Sequence, residues 1–364
     1  MRILIFNWKD VKNPLAGGAE IYTHEIAKRL VLKGHEVTMF TSHFKNAPYE
    51  DEIDGIRVFR GGKIIGAFDT VYDRARKFYR EHRGEFDVVI DECNTRPFLT
   101  PKYVKEPILF FIHQLAVEFW DYKTPFPVNI VGKHLLEPYW LKHYRGIPTI
   151  TVCPSSKKDL LNLGFSNVKI VYNGLDTKKP YKPRKKFDEF TALYVARLTP
   201  TKLPEHAIRA FLHFREEHGA GRLIVVGRGE LYETLKREYE SNFVEFTGFV
   251  EENKKLELMA RSHVVLVPAL REGWGRVVIE ANALGTPAIG YAVNGLVDSI
   301  RHGYNGLLSE PNPKAMARAI GELYTNPALR TRLSKNAIEW AGRFRWDESA
   351  RRFEEILVEV AGYG

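Results

Sequence analysis

Short apolar runs alternate with helical patterns along most of the chain, and this alternation limits the fold more than any other feature. The predicted strands of the first half are residues 2–6, 35–40, 87–91, 108–112, 148–153 and 168–172. Those of the second half are residues 190–195, 222–226, 243–246, 263–270 and 286–291. Strand–helix–strand units of this kind build parallel sheets. We therefore predict an α/β protein with two Rossmann-like parallel sheets.

A basic, proline-containing stretch at residues 178–186 separates the two halves. Such a change in composition is typical of a domain boundary, and we interpret the stretch as a solvated linker rather than a lipid-binding segment. The predicted domains are residues 1–173 and 174–342, followed by an amphipathic C-terminal helix within residues 343–364.

The composition is that of a globular protein, with 44% hydrophobic residues and a formal net charge of +9. The positive charge favours anionic partners but does not choose among sugar nucleotides, phospholipid surfaces and nucleic acid. The sequence has no signal-peptide pattern and no apolar run of membrane-spanning length. Its two cysteines, Cys93 and Cys153, indicate reduced thiols. We expect a cytoplasmic protein.

The stretch from Glu272 to Glu280 combines two carboxylates with a glycine loop between a strand and a helix. Gly273 and Gly275 leave backbone N–H groups exposed near Arg276, which suits a phosphate. Carboxylates accept strong hydrogen bonds from sugar hydroxyls. A metal site is disfavoured, because no Asp or His lies at ligand spacing. The plainer alternative is a dipole-stabilising Glu272 and a solvated Glu280. The surrounding glycines favour a sugar-nucleotide site.

Other candidates follow predicted strands, where open α/β sheets bind ligands. Gly17-Gly18 opens the first helix, His113 follows the strand at residues 108–112, and Arg197 and Lys202 share one loop. Each has a plainer alternative: a tight turn, a packing histidine, or ordinary surface charges. Gly227-Arg228-Gly229 fits a nucleotide contact and a plain turn equally well.

Residues 119–144 mix aromatic residues with lysines and histidines. One interpretation is an acceptor-side surface that touches a membrane or a lipid-linked substrate. The other is a loop and an amphipathic helix whose aromatic residues belong to the core. We prefer the second interpretation.

The spacing of Glu272 and Glu280 resembles the Glu-x7-Glu signature of retaining glycosyltransferase family 4, which has the GT-B fold. Trp274 stands where many members of that family have Phe. The remaining motifs occur in the family's order over nearly the whole chain: Gly17-Gly18, His113, Asn173-Gly174-Leu175-Asp176, Arg197 with Lys202, then Glu272 and Glu280.

The resemblance implies two Rossmann-like domains that face a central cleft. It also implies transfer of a sugar from a nucleotide-diphosphate sugar to an acceptor hydroxyl, with retention of anomeric configuration. In the second domain it implies that Glu272 contacts the donor sugar, that Glu280 contacts the ribose and that Val250 contacts the base through its backbone. Arg197 and Lys202 would hold the diphosphate.

In the first domain the resemblance places His113 near the reacting carbon and the Gly17-Gly18 loop near the diphosphate. His113 and Glu272 are thus the implied catalytic residues. The rest of the implied donor-binding set is Gly17, Gly18, Arg197, Lys202, Val250, Gly273, Trp274, Gly275, Arg276 and Glu280.

The expected donor is a nucleotide-diphosphate sugar, with no metal and no cofactor. The expected acceptor is a saccharide or a lipid-linked molecule, with peripheral contact to an anionic membrane, and the final helix is expected to cross back to the first domain. The rival predictions are a sugar-nucleotide epimerase of GT-B type and a basic nucleic-acid-binding protein. The second rival lacks a recognition motif in the sequence.

Overall fold

The apolar runs of the two halves form two separate parallel sheets. The structure is a computed structural model that describes residues 1–63, 70–176 and 181–362. The chain divides into two units, one of Met1–Gly174 with Arg345–Gly364 and one of Leu175–Phe344. These boundaries lie within two residues of those expected from the sequence.

The described strands of the first unit form one sheet in the order β3-β4-β2-β1-β5-β6-β7-β8. Among these described strands, only β3 and β4 pair in antiparallel fashion. The buried strands β1 and β5 are neighbours at the centre. The strands are β1 Arg2–Phe6, β2 Glu36–Thr41, β3 Glu50–Ile53, β4 Ile56–Arg60, β5 Val88–Cys93, β6 Ile108–Ile112, β7 Thr149–Thr151 and β8 Val168–Ile170.

Helices cover this sheet, and they include the last helix of the chain. The helices are α1 Gly18–Leu32, α2 Val71–Glu81, α3 Val117–Lys123, α4 Val128–Val131, α5 Glu137–Leu141, α6 Pro154–Asn162 and, at the C-terminus, α14 Trp346–Ala361. Helix α14 packs on α1, where the rings of Tyr22 and Trp346 lie 5.4 Å apart. A Cβ atom on Gly174 would lie 2.2 Å from the Trp346 nitrogen. This close approach explains the glycine of the predicted Asn173-Gly174 turn.

The described strands of the second unit are all parallel, in the order β11-β10-β9-β12-β13-β14. They are β9 Thr191–Val195, β10 Arg222–Val226, β11 Val244–Gly248, β12 Val264–Val267, β13 Ala288–Tyr291 and β14 Gly306–Ser309. The helices are α7 Pro204–His218, α8 Tyr232–Tyr239, α9 Glu252–Arg261, α10 Arg276–Ala283, α11 Leu296–Ser299, α12 Pro313–Thr325 and α13 Pro327–Ala341. This strand order is that of a dinucleotide-binding Rossmann sheet. The predicted α/β class with two parallel sheets is confirmed.

Candidate functional site

The second sheet changes direction between β9 and β12, which are adjacent although two strands separate them in the chain. The crossovers from these two strands run to opposite sides, so a crevice opens at their carboxyl ends, where such sheets bind ligands. The loop after β9 carries Arg197 and Lys202, and the loop after β12 carries Glu272. The fold therefore brings together residues that lie some seventy positions apart.

An ion pair between Lys202 and Glu272 joins the two loops across this switch point. The backbone supports the pair, since the Tyr194 hydroxyl donates to the Lys202 carbonyl at 3.0 Å. The Leu270 N–H also donates to the Thr201 carbonyl at 3.3 Å. The site thus holds a half-buried cation and a half-buried carboxylate at one point.

Arg197 is exposed at the surface of the same loop, which packs closely on the loop after β10. The Leu198 N–H donates to the Arg228 carbonyl at 3.0 Å. A Cβ atom on Gly227 would lie 1.9 Å from the Ala196 carbonyl oxygen, and one on Gly229 would lie 2.4 Å from that of Leu198. Loop packing alone therefore requires the glycines of the Gly227-Arg228-Gly229 motif.

The loop from Glu272 to Gly275 is fixed from its other side by the turn after β13. The Glu272 N–H donates to the Asn294 carbonyl at 3.1 Å. A Cβ atom on Gly295 would lie 2.0 Å from the Glu272 carbonyl oxygen. Gly275 precedes α10 with φ at +78°, a conformation that glycine adopts without strain. Gly295 was not among the residues predicted from the sequence, although Asn294-Gly295 is a common turn pair.

Glu280 is not the solvated helix residue of the plainer interpretation, because it is only 5% exposed. Its two carboxylate oxygens accept hydrogen bonds at 3.0 Å from Arg276 and from Lys255 of α9. Burial alone would lower the pKa of Lys255, but the carboxylates of Glu280 and Glu252 outweigh burial and raise it. Lys255 was not predicted from the sequence, because its pairing with Glu280 depends on the packing of α9 against α10.

Trp274 lies within the core of the second unit. Its side chain is 3% exposed, and its indole meets the Phe344 ring edge-on at 4.9 Å. The buried ring is a packing element, so a donor contact at this position would have to come from the backbone. Val250 is half-buried in the loop after β11, beside the exposed Phe249.

Gly17 and Gly18 open α1 in the first unit, as the sequence predicts. The Gly17 N–H donates to the Glu20 carboxylate at 2.7 Å. Lys9 pairs with the same buried carboxylate at 3.1 Å. A carboxylate of the protein itself therefore takes up part of the anion-binding capacity of this helix N-terminus.

His113 follows β6 and contacts a buried carboxylate that the sequence analysis missed. Its Nε2 lies 3.3 Å from Glu92 Oε1. The other oxygen of Glu92 accepts hydrogen bonds from the Asn7 amide and the Thr23 hydroxyl. Burial raises the pKa of Glu92, while the hydrogen bonds from His113 and Thr23 oppose the shift. The sequence signal was an acidic residue at the end of the strand beside His113.

The aromatic residues of the 119–144 stretch divide between core and surface. Tyr144 is buried and stacks on Phe110, whereas Tyr122, Phe126 and Tyr139 are exposed. The preferred prediction, that these aromatic residues belong to the core, is therefore wrong for those three. The exposed apolar surface also includes Val128, Ile130, Val131, Leu135 and Leu136.

The described residues include neither a cluster of metal ligands nor a membrane-spanning helix. Within residues 1–63, 70–176 and 181–362, His, Cys, Asp and Glu side chains form no group of three or more that could hold a metal ion. Over the same residues, every helix is too short or too polar to cross a bilayer.

Two family models match the chain in succession. The model "Glycosyltransferase Family 4" matches residues 16–179, and the model "Glycosyl transferases group 1" matches residues 176–340. A curated relative, an uncharacterized glycosyltransferase of Methanocaldococcus jannaschii, is 27% identical, with both chains covered in full.

Solved structures share the fold over the whole chain. Sucrose-phosphate synthase from Thermosynechococcus elongatus superposes with a TM-score of 0.83 at 21% identity, with 100% of both chains covered. Anabaena HepE in complex with UDP-glucose superposes with a TM-score of 0.75 at 19% identity, covering 99% of this chain and 100% of that one. The chain belongs to the family 4 type of glycosyltransferases with the GT-B fold.

Proposed function

We propose that this glycosyltransferase moves a sugar from a nucleoside-diphosphate sugar to an acceptor hydroxyl with retention of anomeric configuration. The observation that carries the proposal is the Lys202–Glu272 pair at the switch point of the second sheet. A cation and a carboxylate placed there match the two parts of such a donor, its diphosphate and its sugar hydroxyls. The similar HepE structure contains UDP-glucose, so UDP-sugars are the first donors to test.

In the proposed reaction the diphosphate gains negative charge as the glycosidic bond breaks. Lys202 and Arg197 stabilise this charge, together with the N–H groups near Gly275. Prealigned donors of this kind each contribute about 3 kcal/mol to transition-state stabilisation. Glu272 orients the sugar and Glu280 accepts hydrogen bonds from the ribose.

His113 is the proposed contact to the sugar near its reacting carbon. Glu92 contacts one edge of the imidazole, because its Oε1 lies 3.3 Å from Nε2. The second ring nitrogen, Nδ1, is thereby the one left for the substrate. We assign no protein nucleophile. The acceptor hydroxyl is proposed to attack the anomeric carbon from the face that the diphosphate leaves, and to give its proton to the departing diphosphate oxygen as the bond between that oxygen and the sugar breaks.

The anomeric configuration of the product tests this reaction. The protein is incubated with a panel of nucleoside-diphosphate α-sugars and acceptors, and the first product is analysed by NMR. An α-linked product is expected. A β-linked first product would contradict retention, and transfer from no donor in the panel would count against the proposed function.

The reaction is proposed to need no metal, because Arg197 and Lys202 supply the positive charge that a metal would otherwise bring to the diphosphate. We predict that millimolar EDTA leaves the initial transfer rate unchanged, and that added Mg²⁺ or Mn²⁺ has no effect. The rate is measured before and after chelation on the same enzyme stock. A rate that disappears in EDTA and returns with metal would contradict the prediction.

Peripheral contact with an anionic membrane is also proposed, together with a saccharide or lipid-linked acceptor. The exposed apolar side chains of residues 122–139 form the contact surface, and the cationic Lys142 lies over the Tyr139 ring at 4.2 Å. Apolar groups combined with lysines bind anionic membrane surfaces, and each lysine near the surface contributes about 1 kcal/mol to the binding free energy.

Vesicle flotation tests the membrane contact with a matched pair of phenylalanines. Phe126 is 77% exposed on this surface, and Phe249 is 72% exposed in the second unit. We predict that Phe126→Ser lowers the fraction that floats with anionic vesicles at least threefold, an estimate from the lost apolar area, and that Phe249→Ser does not. Equal flotation of the two variants would contradict the proposed surface.

A further inference from the structure

Among the described residues, the buried polar atoms without a hydrogen-bond partner include two in loops at the carboxyl edge of the first sheet. They are Arg96 Nε, in the loop after β5, and Gln114 Oε1, in the loop after β6. Cys93 and Ile112 are paired at the ends of these strands, so the two loops start side by side. A buried polar group without a partner is unfavourable, because it has lost its hydrogen bonds to water and gained none. A ligand that supplied complementary groups would remove this penalty.

The Arg96 guanidinium lies against two aromatic rings. Its Cζ lies 4.2 Å from the centre of the Tyr72 ring and 5.6 Å from that of Trp140. Tyr72 is itself fixed, since its hydroxyl donates to the Arg96 carbonyl at 3.0 Å and accepts from the Trp8 indole at 2.7 Å. Among the residues that the structure describes, Arg96 forms no ion pair.

The buried carboxylates of this part of the unit are already engaged. Asp91 accepts hydrogen bonds from the Tyr144 and Thr100 hydroxyls. Glu137 accepts from the Ala116 N–H and, at 3.0 Å, from the Trp120 indole. Within residues 1–63, 70–176 and 181–362, Arg96 is therefore an oriented cation without a carboxylate partner. Its planar fork of donors matches the oxygens of a phosphate or a carboxylate.

We propose that this edge of the first sheet binds an acceptor that carries an oxyanion, with Arg96 as the anion ligand and Gln114 Oε1 as the acceptor of a hydrogen bond from one of its hydroxyls. Gln114 directly follows His113, so that hydroxyl is placed beside the proposed reacting face. That the bound anion is the sugar acceptor rests on the proposed function, whereas binding of the anion can be measured without it.

Three probes with the same three-carbon skeleton test the oxyanion: glycerol 3-phosphate, glycerate and glycerol. Their binding to the full chain is measured by calorimetry with saturating UDP, which blocks the diphosphate site. We expect at least one of the two anions to bind and glycerol not to bind. Arg96→Gln is expected to lower the affinity for this anion at least about tenfold, because a charge-assisted hydrogen bond is lost. Arg96→Lys is expected to give an intermediate affinity.

Arg83→Gln is the matched control, since Arg83 is an exposed arginine of the same unit beyond the far end of α2. Vesicles containing phosphatidate form a second arm, which distinguishes a lipid-borne phosphate from a soluble one. Arg96-dependent binding in either arm supports the site. Anion binding that is absent in both arms, or equal in wild type and Arg96→Gln, overturns it.

Failure of this proposal and failure of the proposed function give different results. Sugar transfer without Arg96-dependent anion binding removes only the oxyanion subsite. Arg96-dependent anion binding in a protein that binds no nucleoside diphosphate keeps the anion site and removes the proposed function. Thermal unfolding of Arg96→Gln, compared with Arg83→Gln, shows whether a weaker affinity reflects a damaged fold.

Discussion

Arg197→Gln is expected to lower kcat/KM by about 10²–10³-fold, the usual result of removing one prealigned donor to a developing negative charge. Most of the loss should be a decrease in kcat, because the diphosphate is most negative while its bond to the sugar is breaking. Arg197 is exposed, so the melting temperature should stay within about 1 °C of wild type, as for most surface substitutions.

Steady-state kinetics on the wild type, Arg197→Gln and Arg209→Gln measure this effect. Arg209 is an exposed arginine of α7 in the same unit, 3.7 Å from Glu205, and its replacement controls for the lost charge. Near-normal turnover of Arg197→Gln would remove Arg197 from the site. Equal losses in both variants would point to a general effect of charge.

Trp274→Ala is expected to reduce the stability of the second unit by about 3–5 kcal/mol, the range for deleting a large buried aromatic ring. The reason is the burial of the indole and its edge-on contact with Phe344 at 4.9 Å. For a unit of this size the melting temperature should fall by about 10 °C. Trp274→Phe should recover most of the loss, because it keeps an aromatic ring in the same space.

Differential scanning calorimetry checks this result, with Val297→Ala as a surface control in the same unit. Val297 is partly exposed, so its truncation should change little. If Trp274→Ala melted like the wild type and lost only donor affinity, the indole would be a ligand contact and not a packing element.

The sequence predicts the elements that have strong apolar periodicity and places most of their ends within two residues. Strands β6 and β10 match their predicted bounds. The β3–β4 pair was not predicted, because Glu50–Ile53 is largely polar and lies at the sheet edge, where burial does not impose an apolar pattern. The predicted strand at residues 263–270 ends at Val267, since Leu270 instead donates to the loop after β9.

The candidate site was predictable where its residues follow strands, and not where they depend on tertiary packing. Glu272, Lys202 and His113 each follow a predicted strand, so their positions could be inferred. The roles of Lys255 and Gly295 arise from contacts with residues more than twenty positions away. No local sequence pattern predicts such contacts, whereas Glu92 could have been identified as an acidic residue at the end of the strand beside His113.

The central claim is that a nucleoside diphosphate binds at the switch point of the second sheet. Isothermal titration of UDP, GDP and ADP into the wild type, Lys202→Met and Lys254→Met tests it most directly. Lys254 is an exposed lysine of α9 that pairs with Glu257 at 3.1 Å, and it serves as the charge control. We predict that one nucleotide binds the wild type and Lys254→Met alike, and binds Lys202→Met at least about tenfold more weakly. Binding of no nucleotide, or equal binding by all three proteins, would contradict the claim.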